Sequence, residues 1–149
     1  MSTANLIVVR IALAVAGVFA LVTGLDQALG GYFTLGWMGQ PEFFHITNQD
    51  AFLVADNHQR FMGGVWTGIG LALLYAQTNL RRHQAVLNSA FAFVFLGGLA
   101  RFSQMNLDVT FGPDILAALI VELVGMPVLY VLLSRAVAQM SAQPSKVGS

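Results

Sequence analysis

Four long apolar runs constrain this chain more than any other feature of its sequence. A helix that crosses a bilayer needs about 20 apolar residues, and such runs lie at about 6–29, 60–77, 85–104 and 114–134. Only 9% of the residues are charged, whereas roughly a quarter are charged in soluble domains. The sequence therefore predicts an all-α membrane protein, one domain over 1–149 built as a four-transmembrane-helix bundle. The first run could instead be a secretory signal, although it is long for one.

The distribution of basic residues predicts the orientation of the helices, because Lys and Arg are retained on the cytoplasmic side. The central loop and the two ends of the chain contain Arg10, Arg81, Arg82, Arg135 and Lys146. The other two loops, at about 30–59 and 105–113, contain acidic residues but no Lys or Arg. We therefore expect both termini in the cytoplasm and a long first loop on the outer side.

The first outer loop is unusually rich in aromatic residues for a solvated connection. It contains Tyr32, Phe33, Trp37, Phe43, Phe44 and Phe52. Aromatic rings favour the depth of lipid headgroups, so we expect this loop at the membrane surface, where residues 43–54 could form a short helix. The loop is then either a lipid-anchored connector or a lid or docking surface over a site.

Ionisable and polar residues collect at the outer ends of the predicted spans. These residues are Asp26, Asp56, His58, Arg60, Arg101, Gln104 and Asp114. Glu122 lies about 12 Å deeper than Asp114, at a rise of about 1.5 Å per residue. A lone charge at that depth costs a few kcal/mol, so Glu122 must be neutral or paired, and Arg60 or Arg101 is the expected partner. The cluster is either a polar clamp that fixes helix register or a hydrated pocket for an ion, a proton or a small polar ligand.

Small residues in the second and third spans predict close helix packing. The small-xxx-small spacing of Gly64 and Gly68, and of Gly63 and Thr67, lets helix backbones approach each other. Gly97 lies one turn before Arg101. The same spacing would serve dimerisation or packing inside the bundle.

The fourth span contains its own start signal and a weak point. Pro113 suits a first helical turn, and Asp114 beside it complements the positive end of the helix dipole. Gly125 and Pro127 are expected to loosen the hydrogen-bond ladder about one turn below Glu122, since proline removes a backbone donor.

Common enzyme motifs are missing from the sequence, so we expect a protein that is not an enzyme and binds no cofactor or metal. No predicted span carries the histidine pair that holds a haem between helices, and the chain has no cysteine. An outer metal site using His45, Asp56 and His58 is the alternative, but neither histidine segment has HExxH spacing. Seven basic residues balance seven acidic ones, which leaves no positive field for nucleic acid.

Three segments resemble an uncharacterised bacterial family of short four-helix membrane proteins. They are NHQRFMGG at 57–64, GGLARFSQ at 97–104 and FGPDILAALIVELVGMP at 111–127. The resemblance covers nearly all of the chain and implies a compact multi-pass protein of the bacterial inner membrane. It also implies that Arg60, Arg101 and Glu122 occupy motif positions, and it implies no reaction.

Two functions follow from these features. Small size, glycine-rich helices and an aromatic outer loop predict a non-enzymatic accessory or scaffold subunit, in contact with lipid and with other membrane subunits or a second copy of the chain. The ionisable cluster predicts, as the alternative, a binding or transport protein for a small polar solute or for protons.

Overall fold

The computed structural model describes residues 3–34 and 45–142, with side chains from 6–34 and 45–140. Every regular element in these ranges is helical, which confirms the predicted all-α fold for them. Trp37, Phe43, Phe44 and Lys146 lie outside the described residues. The chain divides into an N-terminal unit, residues 12–75, and a C-terminal unit, residues 1–11 with 76–149.

The described part of the N-terminal unit consists mainly of residues 12–30 of one long helix and residues 49–75 of a second. The chain runs through α1 (Thr3–Gly30), a 3₁₀ turn (Gly31–Phe33) and α2 (Gln49–Ala76). Asn48 starts α2, because its side-chain Oδ1 accepts the backbone N–H of Ala51 at 3.0 Å. The helix therefore begins about three turns before the predicted span 60–77. Residues 49–59, predicted as part of the first outer loop, are helical as the first turns of α2. The short helix considered at residues 43–54 overlaps α2 at residues 49–54.

Glycines allow the backbones of α1 and α2 to lie in close contact. A Cβ atom added at Gly24 would lie 2.5 Å from the backbone nitrogen of Thr67. One added at Gly70 would lie 2.5 Å from the backbone nitrogen of Leu21. Neither position has room for a side chain, so the two helices pack as closely as small residues permit.

The C-terminal unit is a longer series of helical segments. After a 3₁₀ turn (Gln77–Asn79) the chain forms α3 (Gln84–Ala100), a 3₁₀ turn (Arg101–Gln104), α4 (Leu107–Thr110), α5 (Pro113–Ile120), a π-helical turn (Val121–Gly125) and α6 (Met126–Ala142). The Asn79 side chain accepts the backbone N–H of Arg82 at 3.1 Å in the connection before α3. Helix α3 packs against the π turn and α6.

The start of α5 matches the sequence signal. Pro113 lies in the first turn of the helix and Asp114 is the acidic residue beside it. The fixed φ of proline favours this position, where a backbone N–H would have no partner inside the helix. The start predicted for the fourth span is therefore confirmed, as the first turn of α5.

A π turn interrupts the last long helix at the position of Glu122. The backbone N–H of Met126 bonds to the carbonyl of Val121, an i to i−5 spacing instead of i to i−4. Pro127 follows and has no N–H for the carbonyl of Leu123. The weak point predicted from Gly125 and Pro127 is therefore present, and it includes Glu122 itself.

Within the part of the chain that the structure describes, three helical stretches are long and apolar enough to cross a membrane, namely Leu6–Phe33, Gln84–Gln104 and Pro113–Met140. Only 28%, 22% and 11% of their most apolar windows, respectively, is buried inside the protein. Contiguous exposed apolar faces of this size are rare in soluble monomers. Helix α2 is not among the three. The length and composition of these helices thus indicate a membrane protein.

The packing of α1 on α2 gives a matched test at two glycines of the same helix. We expect Gly70→Ala to lower the thermal midpoint in detergent, because the new methyl group would collide with the backbone at Leu21. Gly68→Ala should leave the midpoint unchanged or raise it, since nothing described lies within 4 Å of its Cβ position and alanine favours helix by about 1 kcal/mol. Equal effects of the two substitutions would contradict the close packing.

Candidate functional site

A bidentate ion pair joins Arg101 to Glu122 in the C-terminal unit. The Arg101 Nε donates to Oε2 at 2.7 Å and Nη2 donates to Oε1 at 2.6 Å. The Glu122 side chain is 14% exposed and that of Arg101 is 35% exposed. The more deeply buried charge is therefore compensated on both oxygens. Of the two partners predicted for Glu122, the structure identifies Arg101.

Local backbone features bring these two side chains together. Arg101 begins the 3₁₀ turn that ends α3, one turn after Gly98. A Cβ atom added at Gly98 would lie 2.8 Å from Cβ of Glu122 and 3.2 Å from its Oε2. Gly98 thus provides the space in which the carboxylate lies. The π turn sets the direction of Glu122, and such turns are frequent at functional sites.

A second ion pair lies within α2 of the N-terminal unit. Arg60 Nε donates to Oδ2 of Asp56 at 2.6 Å, at the i, i+4 spacing that faces two side chains on a helix. Asp56 Oδ1 accepts the backbone N–H of Tyr32 at 2.8 Å. Arg60 Nη1 also donates to the backbone carbonyl of Leu29. The two side chains of this pair therefore link α2 to the backbone at the end of α1.

The backbone at the end of α1 is shaped around the Asp56 carboxylate. Gly31 has a φ of +60°, in the left-handed region that favours glycine. A Cβ atom there would collide with the carboxylate of Asp56. Asp56 is only 6% exposed. The hydrogen bond from the Tyr32 amide lowers the pKa of Asp56 most, burial raises it, and the bond and charge of Arg60 lower it further, with a net decrease.

The other predicted polar residues have separate environments. Asp114 is exposed in the first turn of α5, and His58 is exposed with its Nδ1 lying 2.9 Å from the Val54 carbonyl. Asp26 is half-buried, and its carbonyl accepts the Thr34 hydroxyl at 2.9 Å. The predicted common outer layer involves both units and stays a prediction.

Gln104 and Arg101 line a cavity of about 290 Å³ at the end of α3. Ser103 and Thr110 contribute further polar groups, and the remaining lining is Ala100, Val109 and Ile115. Neither Asp114 nor Glu122 is among the lining residues. Of the predicted polar cluster, this cavity thus brings together Arg101 and Gln104.

The glycines predicted for packing differ in their surroundings. Gly63 lies against the backbone of Ala28. At Gly64, Gly68 and Gly97 an added Cβ would meet no described atom within 4 Å. Contact at these three would have to come from outside the described residues, so their packing role stays a prediction.

The alternative metal site does not form among the described side chains. Across residues 6–34 and 45–140, no group of three His, Asp or Glu residues is placed to hold a metal ion. His45, Asp56 and His58 are all within these ranges. The carboxylate of Asp56 is instead bonded to Arg60 and Tyr32.

Sequence reasoning missed several of the groups that build these sites. The i, i+4 spacing of Asp56 and Arg60 could have indicated their pairing. Gly98, and not Gly97, faces Glu122. Asn88 also went unnoticed, although its Oδ1 is buried with no hydrogen-bond partner among the described residues.

Comparison with known proteins identifies the family but no activity. A family model described as a domain of unknown function, DUF4345, matches residues 8–133. The chain belongs to this family, which agrees with the uncharacterised family expected from the sequence motifs. No curated protein and no solved structure matches the chain.

The Arg101–Glu122 pair predicts unequal effects of removing its two charges. We expect Arg101→Ala to lower the thermal midpoint in detergent much more than Glu122→Gln. The alanine variant leaves a buried carboxylate uncompensated, and breaking such a pair costs about 3–5 kcal/mol. Glutamine keeps the volume and an acceptor for Arg101. Arg135→Ala, at an exposed arginine of α6, is the control. Equal losses for both variants, or loss in Glu122→Gln alone, would refute the pairing.

The lowered pKa of Asp56 predicts a pH dependence that Asp56→Asn removes. Because the folded pKa lies below the ordinary value of about 4, the stabilisation is complete above that pH and is lost as the pH falls through the lowered pKa. In detergent at pH 7, we expect the wild-type chain to have the higher thermal midpoint. The difference from Asp56→Asn should shrink as the pH is lowered below about 4. A constant difference from pH 7 to strong acid would show that the Asp56 charge does not stabilise the fold.

Proposed function

We propose that this DUF4345 member is a non-enzymatic integral membrane protein that serves as an accessory or scaffold subunit of a larger membrane assembly. The observation that supports this most is the pairing of two shielded carboxylates, those of Glu122 and Asp56. Glu122 is bonded on both oxygens by Arg101, and Asp56 is bonded by Arg60 and by the Tyr32 amide. Each pair lies within a single unit.

Paired carboxylates favour a structural role over a chemical one. A general acid or base must exchange its proton with a substrate within hydrogen-bond reach. The oxygens of Glu122 are already used by a bidentate arginine, and this pair links the end of α3 to the π turn. Polar bonds between helices hold membrane bundles together. We therefore interpret the Arg101–Glu122 pair as a clamp that fixes the position of one helix against the other.

The exposed apolar faces of the helices support contact with lipid and with other membrane subunits. Val18 and Phe19 of α1 and Leu96 of α3 are 51%, 47% and 57% exposed. Lipid covers such faces in a membrane, and a neighbouring subunit or a second copy of the chain can replace part of that lipid. In this proposal the exposed apolar faces of the spans contact the other subunits of the assembly.

The proposed topology has four spans with both termini in the cytoplasm of a bacterial cell. The second half of α2, over the predicted span 60–77, completes the set with the three longer candidates. Basic residues lie at Arg10, in the central turn at Arg81 and Arg82, and at Arg135. Such residues are retained on the cytoplasmic side, which places the start of α2 and the connection containing α4 outside.

Binding or transport of a small polar solute or of protons is the second candidate. The cavity beside Arg101 favours it, because the end of α3 offers a guanidinium and an amide together. A conduction path also needs polar groups through the membrane thickness. Toward the proposed cytoplasmic end of α3, the only buried side-chain polar atom without a partner among the described residues is Oδ1 of Asn88. One such atom does not make a polar path. We therefore rank transport second.

Introduced cysteines test the topology, since the chain has no cysteine of its own. We expect Gln49→Cys and Asp108→Cys to react with an impermeant thiol reagent in intact cells, because both exposed sites lie in segments without a retaining positive charge. Arg82→Cys should react only after the membrane is opened. Labelling of position 82 in intact cells would overturn the orientation.

The assembly role is tested by photo-crosslinking in native membranes. A photoreactive residue replacing Val18, which is 51% exposed, should form a discrete adduct with another membrane protein or a second copy. The same residue replacing Leu13, which is 0% exposed on the same helix, is the control and should form none. Reconstituted vesicles with a proton-sensitive dye supply the second arm, in which we expect no flux above protein-free vesicles. Flux that disappears in Glu122→Gln, with no adduct at position 18, would reject the scaffold proposal in favour of transport.

A further inference from the structure

Arg101, which lines the cavity at the end of α3, has hydrogen-bond donors that the ion pair does not use. A guanidinium has five N–H groups, and the bonds to Glu122 use one on Nε and one on Nη2. The other three have no hydrogen-bond partner among the described residues. Arg101 lines the cavity, whereas Glu122 is more shielded and does not. A ligand in the cavity would thus meet the donor side of the pair.

Two further side chains extend this donor set. Ser103 and Gln104 follow Arg101 in the same 3₁₀ turn, and both are exposed and line the cavity. A hydroxyl and an amide each offer a donor. Thr110 donates its hydroxyl to the Asn106 carbonyl. The acidic residues of the adjoining helices, Asp108 and Asp114, are not among the lining residues.

The size and apolar wall of the cavity restrict the ligand further. A volume of about 290 Å³ is at the lower limit for binding pockets of drug-sized molecules. Val109 and Ile115 form part of the wall, and α3 exposes Leu96 and Leu99 on the turns before Arg101. The cavity therefore suits a small acceptor-rich group that is attached to, or followed by, apolar chains.

We propose that this cavity binds a phosphate group, from a phospholipid headgroup or from a free phosphate. Phosphate oxygens accept several hydrogen bonds at once, and the planar guanidinium fork matches their geometry. The lipid source fits the candidate span Gln84–Gln104, because Arg101 lies in its last turn and the ends of a membrane span approach the headgroups. The inference goes beyond the scaffold function. Its lipid form depends on the proposed membrane location, whereas binding of inorganic phosphate does not.

The test uses the full chain, purified in detergent and stripped of lipid. Binding of dihexanoyl phosphatidylglycerol, inorganic phosphate and dihexanoyl glycerol is measured by native mass spectrometry and by the change in thermal midpoint. Ser103→Ala with Gln104→Ala removes two donors and leaves the Arg101–Glu122 pair intact. Ser89→Ala with Gln139→Ala changes two exposed residues of the same types, on α3 and α6, as the matched control.

We expect phosphatidylglycerol to bind and the phosphate-free glycerol lipid not to bind. The Ser103/Gln104 double variant should raise the dissociation constant about tenfold, equivalent to about 1.4 kcal/mol, and the control should not change it. Inorganic phosphate that binds equally well and competes would identify free phosphate as the source and also support the site. Equal binding by wild type and the Ser103/Gln104 variant, or equal binding of the glycerol lipid, would overturn the proposal. Failure of the topology test with phosphate binding retained would separate the two proposals.

Discussion

The free-energy cost of an unpaired charge away from water governs the C-terminal unit. Glu122 lies within a helix whose other residues are mainly apolar, and a bare carboxylate there would be unfavourable by several kcal/mol. Arg101 compensates it with two short bonds. The ion pair requires space for the carboxylate, which Gly98 provides. It also requires a suitable direction of the Glu122 side chain, which the π turn provides. The helix ends and the interruption of the last helix are thus arranged around one charge pair.

The N-terminal unit satisfies the same constraint in a different way. Asp56 and Arg60 are on the same helix, so the bond between them does not by itself link two helices. Each also bonds to the backbone at the end of α1, through the amide of Tyr32 and the carbonyl of Leu29. Backbone groups beyond the last turn of a helix need partners. Here a charged pair on α2 supplies them, which links the two helices without using a charged side chain of α1.

Sequence patterns predicted those features that depend on neighbouring residues. Helical type, the start at Pro113 and the disturbance caused by Pro127 all follow from local backbone chemistry. The early start of α2 did not emerge, because polar residues such as Asp50 and Asp56 were assigned to a loop although Asn48 can cap a helix. Arg60 could not be separated from Arg101 as the partner of Glu122, since depth along a span does not define the facing side. The sequence does not show whether Gly97 or Gly98 faces Glu122, because it does not define the rotation of the helix about its axis. The burial of the Asn88 amide oxygen was not predicted for the same reason.

The π turn also fixes the spacing of the chain on either side of it. Such a turn is equivalent to one residue inserted into an α-helix, and each residue rotates a helix by about 100°. The π turn accommodates that residue within one wider turn, so α6, with its buried residues Leu133 and Ala136, need not rotate by a further angle of about 100°. Loss of one residue other than Glu122 between Val121 and Gly125 would convert the π turn to regular α-helix and leave the buried face of α6 in place, whereas gain of one residue would turn that face away. This short segment should consequently tolerate the loss of one residue better than the gain of one.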